Sequence, residues 1–529
     1  MRHQIEFLIA LLLAIALVAA FSRRVGVTES ILLFLGGVAL GVIPGAPRIA
    51  VPPDVIFLVF LPPLVYYAAF VSSPRELRTH ARSISMLAVG LVFATTAGVA
   101  VVAHLVIPQM PWAAAFALGA ILAPTDPVAA TTVIRNLGAP QALVTLLEGE
   151  ALINDAVGLT LYRVAVAAAV AGTFSVLESV GRFALVAVGG LAIGLAVGWV
   201  VARVRPKFDD PQVEITISLF TPYLSYLPAE AAGTSGILAT VVTGLYVGWK
   251  SPGLFRPGTR LAARSFWSLF TFLLNSFLFL LLGLQFRTIV DGIEGASPSR
   301  LLGYAAAVCG TAIGIRLVWQ FTVPYLMRVL SRRLRREQPP LPWQQRLVIG
   351  WSGMRGAVSL AAALAIPLRT DSRAAFPRRD LIIFLTFAGI FATLVLQGLT
   401  LPLLMRALGV RGDERTSEAE DRARANAAHA ALARLEDVAQ ERRLPEETLE
   451  GLRDLYEDRL MRLKARLDAD GDGHPELEQR ADLYRELLRE MIDAERDTIV
   501  EMRDKGEIDN EVMRRIERDL DLTSSRLLE

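Results

Sequence analysis

Apolar residues in this chain come mostly in long unbroken runs, without the three-and-four spacing of a helix that has one wet face. About 20 apolar residues in helix cross roughly 30 Å of hydrocarbon. Runs of that order, separated by Pro, Gly or clustered charge, lie near 5–21, 29–44, 54–71, 83–107, 112–136, 142–172, 183–204, 212–227, 231–249, 264–287, 301–329, 344–368 and 380–408. The pattern predicts an all-α polytopic membrane protein of about thirteen transmembrane helices. Its weakest part is 212–249, where Pro222, Pro228 and Gly233 interrupt the run; fusing those two members leaves twelve. Phe7 to Phe21 has the length of a signal-peptide core, but no small-residue cleavage site follows and many similar runs do, so it reads as the first span.

Beyond Gly412 the texture changes. Residues 411–529 hold 22 Lys and Arg against 34 Asp and Glu, a net −12, whereas the first 410 residues hold 32 against 18, a net +14. The overall +2 therefore conceals two materials. Residues 1–410 form the expected membrane domain, and 411–529 a charged helical cytoplasmic tail with a regulatory role. Ala428 to Val438, Leu452 to Leu467, Leu483 to Met502 and Val512 to Leu522 carry narrow apolar stripes at helical spacing. Cytoplasmic loops retain Lys and Arg, and alternate loops hold 19 on one side and 9 on the other. This orients the N-terminus outside and the tail inside, with the plasma (inner) membrane as the location. The single cysteine, Cys309, sits in an apolar run and excludes a disulfide scaffold.

Ionisable residues inside a span are costly and mark function by default. In the fifth run, Ala123-Pro124-Thr125-Asp126-Pro127-Val128 should break the helix, with Asp126 capping a half that restarts at Val128. A capped kink would explain Asp126 equally simply. The sixth run carries Glu148-Gly149-Glu150-Ala151-Leu152-Ile153-Asn154-Asp155-Ala156, which puts Glu150, Asn154 and Asp155 on one half of a helix. Carboxylates so close repel unless protons, a basic partner or a cation compensates; Glu148, nearer the membrane edge, can be solvated. In the twelfth run, Gly353, Gly356 and Gly350 loosen the helix around Arg355. At about 1.5 Å per residue, Asp126, Glu150, Asp155 and Arg355 all fall roughly 12–20 Å deep.

The fifth and twelfth runs are seven apart, interrupted at matching depth and oppositely directed. Two inverted repeats with crossed broken helices leave that pattern, which is the design of a secondary transporter.

Thr125-Asp126-Pro127-Val128, Glu148 through Ala156, and Gly353-Met354-Arg355-Gly356-Ala357-Val358-Ser359 resemble, in this order, motifs of the monovalent cation:proton antiporter-1 family, in particular bacterial NhaP-like sodium/proton exchangers. Phe266-Trp267, Leu274-Asn275-Ser276 and Leu280 through Leu284 add a fourth matching string, and the likeness spans 5–408. The resemblance implies exchange of a monovalent cation, Na+ first and K+ or Li+ next, for H+ by alternating access. It implies no cofactor, a homodimer, and no nucleic-acid partner. Asp155 resembles the aspartate that binds cation or proton, and Asn154 the neighbour associated with electroneutral exchange. Thr125 and Asp126 resemble unwound-segment residues that offer a carbonyl and hydrogen bonds. Glu150 resembles a glutamate paired with the arginine at Arg355. The implied Na+ ligands are Asp155, Glu150 and Thr125. Many members place serine after that glutamate; Ala151 stands here, one hydroxyl fewer, and leaves the choice among cations open.

Arg163 and Arg316 read as partners of buried acids or as snorkelling groups. Asp468, Asp470, Asp472 and Gly473 imitate a calcium loop, but Gln479 stands where its glutamate belongs, so a turn is expected. No phosphate-cradling loop, zinc cluster or nucleophile elbow supports an ATP-driven pump or an enzyme. A passive cation channel and a tail-driven sensor are the competing classes; one buried cluster on broken helices suits neither.

Overall fold

The computed structural model describes residues 2–43, 52–171, 176–208, 210–254, 257–293, 297–330, 341–410, 414–442, 445–468, 475–505, 507–508, 511–513, 515–517 and 519–521. Among them every regular element is helical, apart from an isolated bridge between Arg369 and Ala375. The chain divides into two compact units, Met1–Gly412 and Asp413–Glu529.

Among the described residues, seven helical stretches are long and apolar enough to cross a membrane: Pro53–Val71, Ala81–Val106, Gln141–Ala171, Gly181–Lys207, Gly258–Asp291, Pro298–Leu326 and Arg379–Ala407. This is a multi-pass membrane protein. The other expected runs are shorter, more polar or broken. Leu11–Ser22 and Glu29–Val42 are short apolar helices, and the runs 112–136 and 344–368 are each split in two. Pro222 and Pro228 do not end the helix around them, which runs from Pro211 to Ala231. The turn comes later, at Gly233, whose φ of +70° suits glycine.

In chain order the principal helices of the first unit are α1 (Arg2–Val25), α2 (Glu29–Val42), α3 (Leu61–Val71), α4 (Val92–Val106), α5 (Trp112–Leu122), α6 (Val128–Asn136), α7 (Gln141–Ala171), α8 (Val176–Val204), α9 (Pro211–Ala231), α10 (Gly236–Leu254), α11 (Pro257–Asp291), α12 (Pro298–Leu330), α13 (Trp343–Trp351), α14 (Ala357–Leu364), α15 (Arg379–Phe391) and α16 (Gly398–Ala407). Their packing separates them into two sets. One set comprises α2, α3, α8, α9, α10 and α11, joined by α1; the other comprises α4 to α7 and α12 to α16. Contacts between the sets are sparser than those within them.

Helices in lipid gain little from hydrophobic burial against one another and rely on close backbone approach at small residues. The α2–α11 pair shows this. A Cβ on Gly37 would stand 2.3 Å from the Leu280 carbonyl oxygen, and one on Gly283 would stand 2.2 Å from that of Phe34. The lipid-facing sides carry exposed apolar residues such as Leu105, Leu185 and Leu302, a distribution stable only against hydrocarbon.

In the second unit α17 (Glu414–Arg442) and α18 (Glu446–Asp468) pair through Ala425, Ala428, Leu460 and Leu463. Separately, α19 (Pro475–Asp504) packs Ile492 and Ile499 against Met513 and Leu520. The calcium-like turn at 469–474 lies outside the described residues.

Replacing Gly37 with Val forces a branched side chain onto backbone that cannot retreat. We expect a loss of about 1–3 kcal/mol, read as a lowered thermal unfolding midpoint of the purified protein in detergent; an unchanged midpoint would contradict the close-packed α2–α11 interface.

Candidate functional site

Helix α5 ends at Leu122, and Ala123 to Pro127 run without helical structure before α6 begins at Val128. The two prolines remove backbone donors, and Asp126 caps the restart by accepting the Val128 amide at 2.9 Å. The second interruption, Ser352 to Gly356, separates α13 from α14. The two breaks touch: the Asp126 amide donates to the Met354 carbonyl at 2.8 Å. A Cβ at Gly356 would meet Asp126 Oδ2 at 2.1 Å, so glycine is what lets the second break close on the first.

Helix α7 is continuous and passes beside both breaks. Asn154 Nδ2 donates to the Thr125 carbonyl at 3.3 Å and to Thr125 Oγ1 at 3.1 Å, and that hydroxyl donates to Glu150 Oε1 at 3.1 Å. Thr125, Glu150 and Asn154 are buried, whereas Asp126 and Asp155 are partly exposed. Asp155 lies close enough to Asp126 for the two charges to repel. Asn154 Oδ1 is buried and has no hydrogen-bond partner among the described residues. A buried acceptor left bare costs on the order of 1–3 kcal/mol, which makes it a natural place for a cation or a water.

The expected pair between Glu150 and Arg355 is not formed. Arg316, on α12, holds Glu150 instead: its Nη1 donates to Oε1 and its Nη2 to Oε2, the latter at 2.9 Å. Both side chains are 2% exposed. Arg316 also donates from Nε and Nη2 to the Ile349 carbonyl at 3.3 and 3.2 Å, covering the open end of α13. Gly353 leaves the room, because a Cβ there would stand 2.3 Å from Arg316 Cδ. Arg355 turns the other way. Its Nε donates to the Leu122 carbonyl at 3.1 Å, its Nη1 to the Gly353 carbonyl at 2.6 Å, and its amide to Thr393 Oγ1 at 3.0 Å. Arg355 therefore covers the open end of α5, a role that Ser359 shares by donating to the Ile121 carbonyl at 2.7 Å.

Glu150 is thus saturated, with Arg316 on both oxygens and Thr125 on one. Among the described residues no three of His, Cys, Asp or Glu converge to hold a metal ion. Of the implied ligands Asp155, Glu150 and Thr125, the glutamate already has both oxygens on Arg316 and one on Thr125. What converges at the breaks is Asp126, Asp155, the Thr125 backbone and Asn154. Glu148 belongs elsewhere, in an ion pair with the half-exposed Arg135.

A model of the transmembrane region of sodium/hydrogen exchangers matches residues 8–407. The chain belongs to the sodium/hydrogen exchanger family. A sodium/proton exchanger of Mycobacterium tuberculosis, named as uncharacterised, is 34% identical over 525 residues, 99% of this chain and 96% of that protein. A low-affinity sodium/proton antiporter of Synechocystis is 30% identical over 521 residues, 96% of this chain and 94% of its own. A sodium, potassium, lithium and rubidium/proton antiporter of Bacillus pumilus is 33% identical over 413 residues, covering 75% and 61% of the two chains. The solved antiporter MjNhaP1 of Methanocaldococcus jannaschii superposes with a TM-score of 0.60 at 18% identity, over 76% of this chain and 98% of that one, so the exchanger fold is shared.

Removing one partner of a buried pair is far worse than removing both. Arg316→Met should destabilise this exchanger by about 3–5 kcal/mol, whereas Arg316→Met with Glu150→Leu should recover most of the loss. Chemical unfolding in detergent reads both, and equal loss in single and double variants would show that the pair is not what matters.

Proposed function

We propose that this chain is a secondary active antiporter that exchanges one monovalent cation, Na+ before K+ or Li+, for one H+ by alternating access. The observation that carries the reading is the charge left at the two touching breaks. Ionised Asp126, Glu150 and Asp155 carry −3, Arg316 and Arg355 carry +2, and the remainder is −1. One proton or one monovalent cation neutralises it, and both cannot be held without leaving a buried positive charge. That competition couples the two ions.

Asp155 is the exchanging carboxylate, with Asp126, the Thr125 carbonyl and Asn154 Oδ1 as the oxygen donors a small hard cation prefers. Glu150 acts from behind, fixing Thr125 through its hydroxyl. The cluster is set on inverted repeats of about thirteen spans, with the N-terminus outside, the tail in the cytoplasm and the protein in the plasma membrane as a homodimer. The charge bias of the loops supports the orientation, and the names of the relatives support the cation class. The tail, 411–529, regulates exchange.

In proteoliposomes loaded with a pH-sensitive dye, Na+ should dissipate a preformed proton gradient without generating a membrane potential, and Asp155→Asn should abolish the response. Persistent Na+-driven proton movement in Asp155→Asn would overturn the assignment. Asn154→Asp adds one negative charge, taking the remainder from −1 to −2. Its exchange should become voltage-sensitive, seen as a signal from a potential-sensing dye that the parent lacks; silence of that dye with exchange intact would refute the charge argument.

A further inference from the structure

Arg163 and Glu230 form an ion pair that the site does not use. Arg163 lies eight residues beyond Asp155 on α7, two turns and about 12 Å along the same helix. Its Nη2 donates to Glu230 Oε1 at 3.0 Å and to Oε2 at 2.9 Å. Glu230 sits at the end of α9, in the other packing set. It is fixed there a second time, because Oε1 also accepts the Gly236 amide at 3.0 Å and so caps the first residue of α10. A Cβ on Gly236 would stand 2.9 Å from Glu230 Cγ, so glycine at that position is what admits the carboxylate. Tyr162 of α7 and Tyr226 of α9, both 7% exposed, lie near the pair. One end of this bond is anchored to the helix that bears Asp155, and the other to the α9–α10 corner of the second set.

We infer that Arg163 and Glu230 are a clamp that holds the site-bearing set of helices against α9 and α10 on the carboxyl-terminal side of α7, closing that side of the path to Asp155. The inference rests on the exchange reading above, since alternating access requires the two sets to part on one side at a time. The pair is suited to a reversible clamp. Its side chains are 47% and 29% exposed, so water can replace the bond when the sets separate. A half-exposed pair contributes little, enough to bias a two-state equilibrium and too little to trap it. The buried Glu150–Arg316 pair has the opposite character and lies wholly within one set.

Leu159 lies one turn from Asp155 and one turn from Arg163 and is 8% exposed, which makes it a reporter for the closed path. In the full chain carrying Cys309→Ser and Leu159→Cys, labelling by a membrane-impermeant maleimide should rise about two- to fivefold in Arg163→Gln and in Glu230→Gln. Glutamine at 230 can still accept the Gly236 amide, so this variant releases the clamp and keeps the α10 cap. The double Gln variant should label no faster than either single, and the swap Arg163→Glu with Glu230→Arg should return labelling toward the parent. Unchanged labelling in the single variants, or a swap as reactive as they are, would overturn the clamp. Proton movement driven by Na+ is read on the same vesicles. If the parent fails to exchange while the labelling pattern holds, the clamp stands and the exchange reading falls; exchange with unchanged labelling removes the clamp alone.

Discussion

A helix interrupted at membrane depth leaves carbonyls with no intrahelical donor and no lipid to satisfy them, and the whole site follows from how those ends are met. Each open end receives an arginine. Arg355, from the second break, covers Leu122 at the end of α5; Arg316, from α12, covers Ile349 at the end of α13. The cations also face the negative ends of two half-helix dipoles, where positive charge is favoured. A guanidinium brought this deep needs an acid, and Glu150 supplies it for Arg316. Thr125 then bonds to Glu150, and Asn154 to Thr125, so the cost of one frayed helix is met by a chain that reaches across to the other.

This division of labour sets the three acids apart. Glu150 accepts from three donor atoms and cannot approach a passing ion without abandoning them. Asp126 accepts the Val128 amide with one oxygen and keeps the other toward Gly356, and among the described residues Asp155 accepts no hydrogen bond. Those two are also the partly exposed pair. The three carboxylates are therefore separated by exposure and by partner, although Asp126 lies in one break and Glu150 and Asp155 lie on the helix that passes beside both.

Much of this was legible in the sequence because the responsible residues announce themselves chemically. Pro124 and Pro127 flank a capping aspartate and so mark a break, which the isolated Pro222 and Pro228 do not, and Glu150 and Asp155 have no bland reason to lie in an apolar run. Partnership was harder to read. Two arginines, Arg316 and Arg355, lie at similar depth, and the motif around Arg355 draws the eye while Arg316 stands in an otherwise plain apolar helix. Counting the charges, three acids against two bases, would have flagged the second arginine; choosing between them required knowing that the Gly353 backbone leaves space for Arg316. Arg163 was legible only as a group needing an acid, since Glu230 is 67 residues away at a corner whose position depends on the packing of α9 and α10. Hydropathy alone does not distinguish one continuous span from two half-helices that meet end to end; Pro124, Pro127 and the glycines around Arg355 do.

The placement of strong and weak bonds also says how the molecule can move. The buried double bond of Glu150 to Arg316 and the backbone bond from Asp126 to Met354 stay inside one packing set and keep the site's geometry intact. Within the other set Gly37 and Gly283 bring two helix backbones into direct contact. Between the sets the contacts thin, and the Arg163–Glu230 pair that joins them is partly in water. A rigid site carried past a rigid neighbour across a weak seam is what exchange demands: a loose site would leak its ion, and a tight seam would never turn it to the other side.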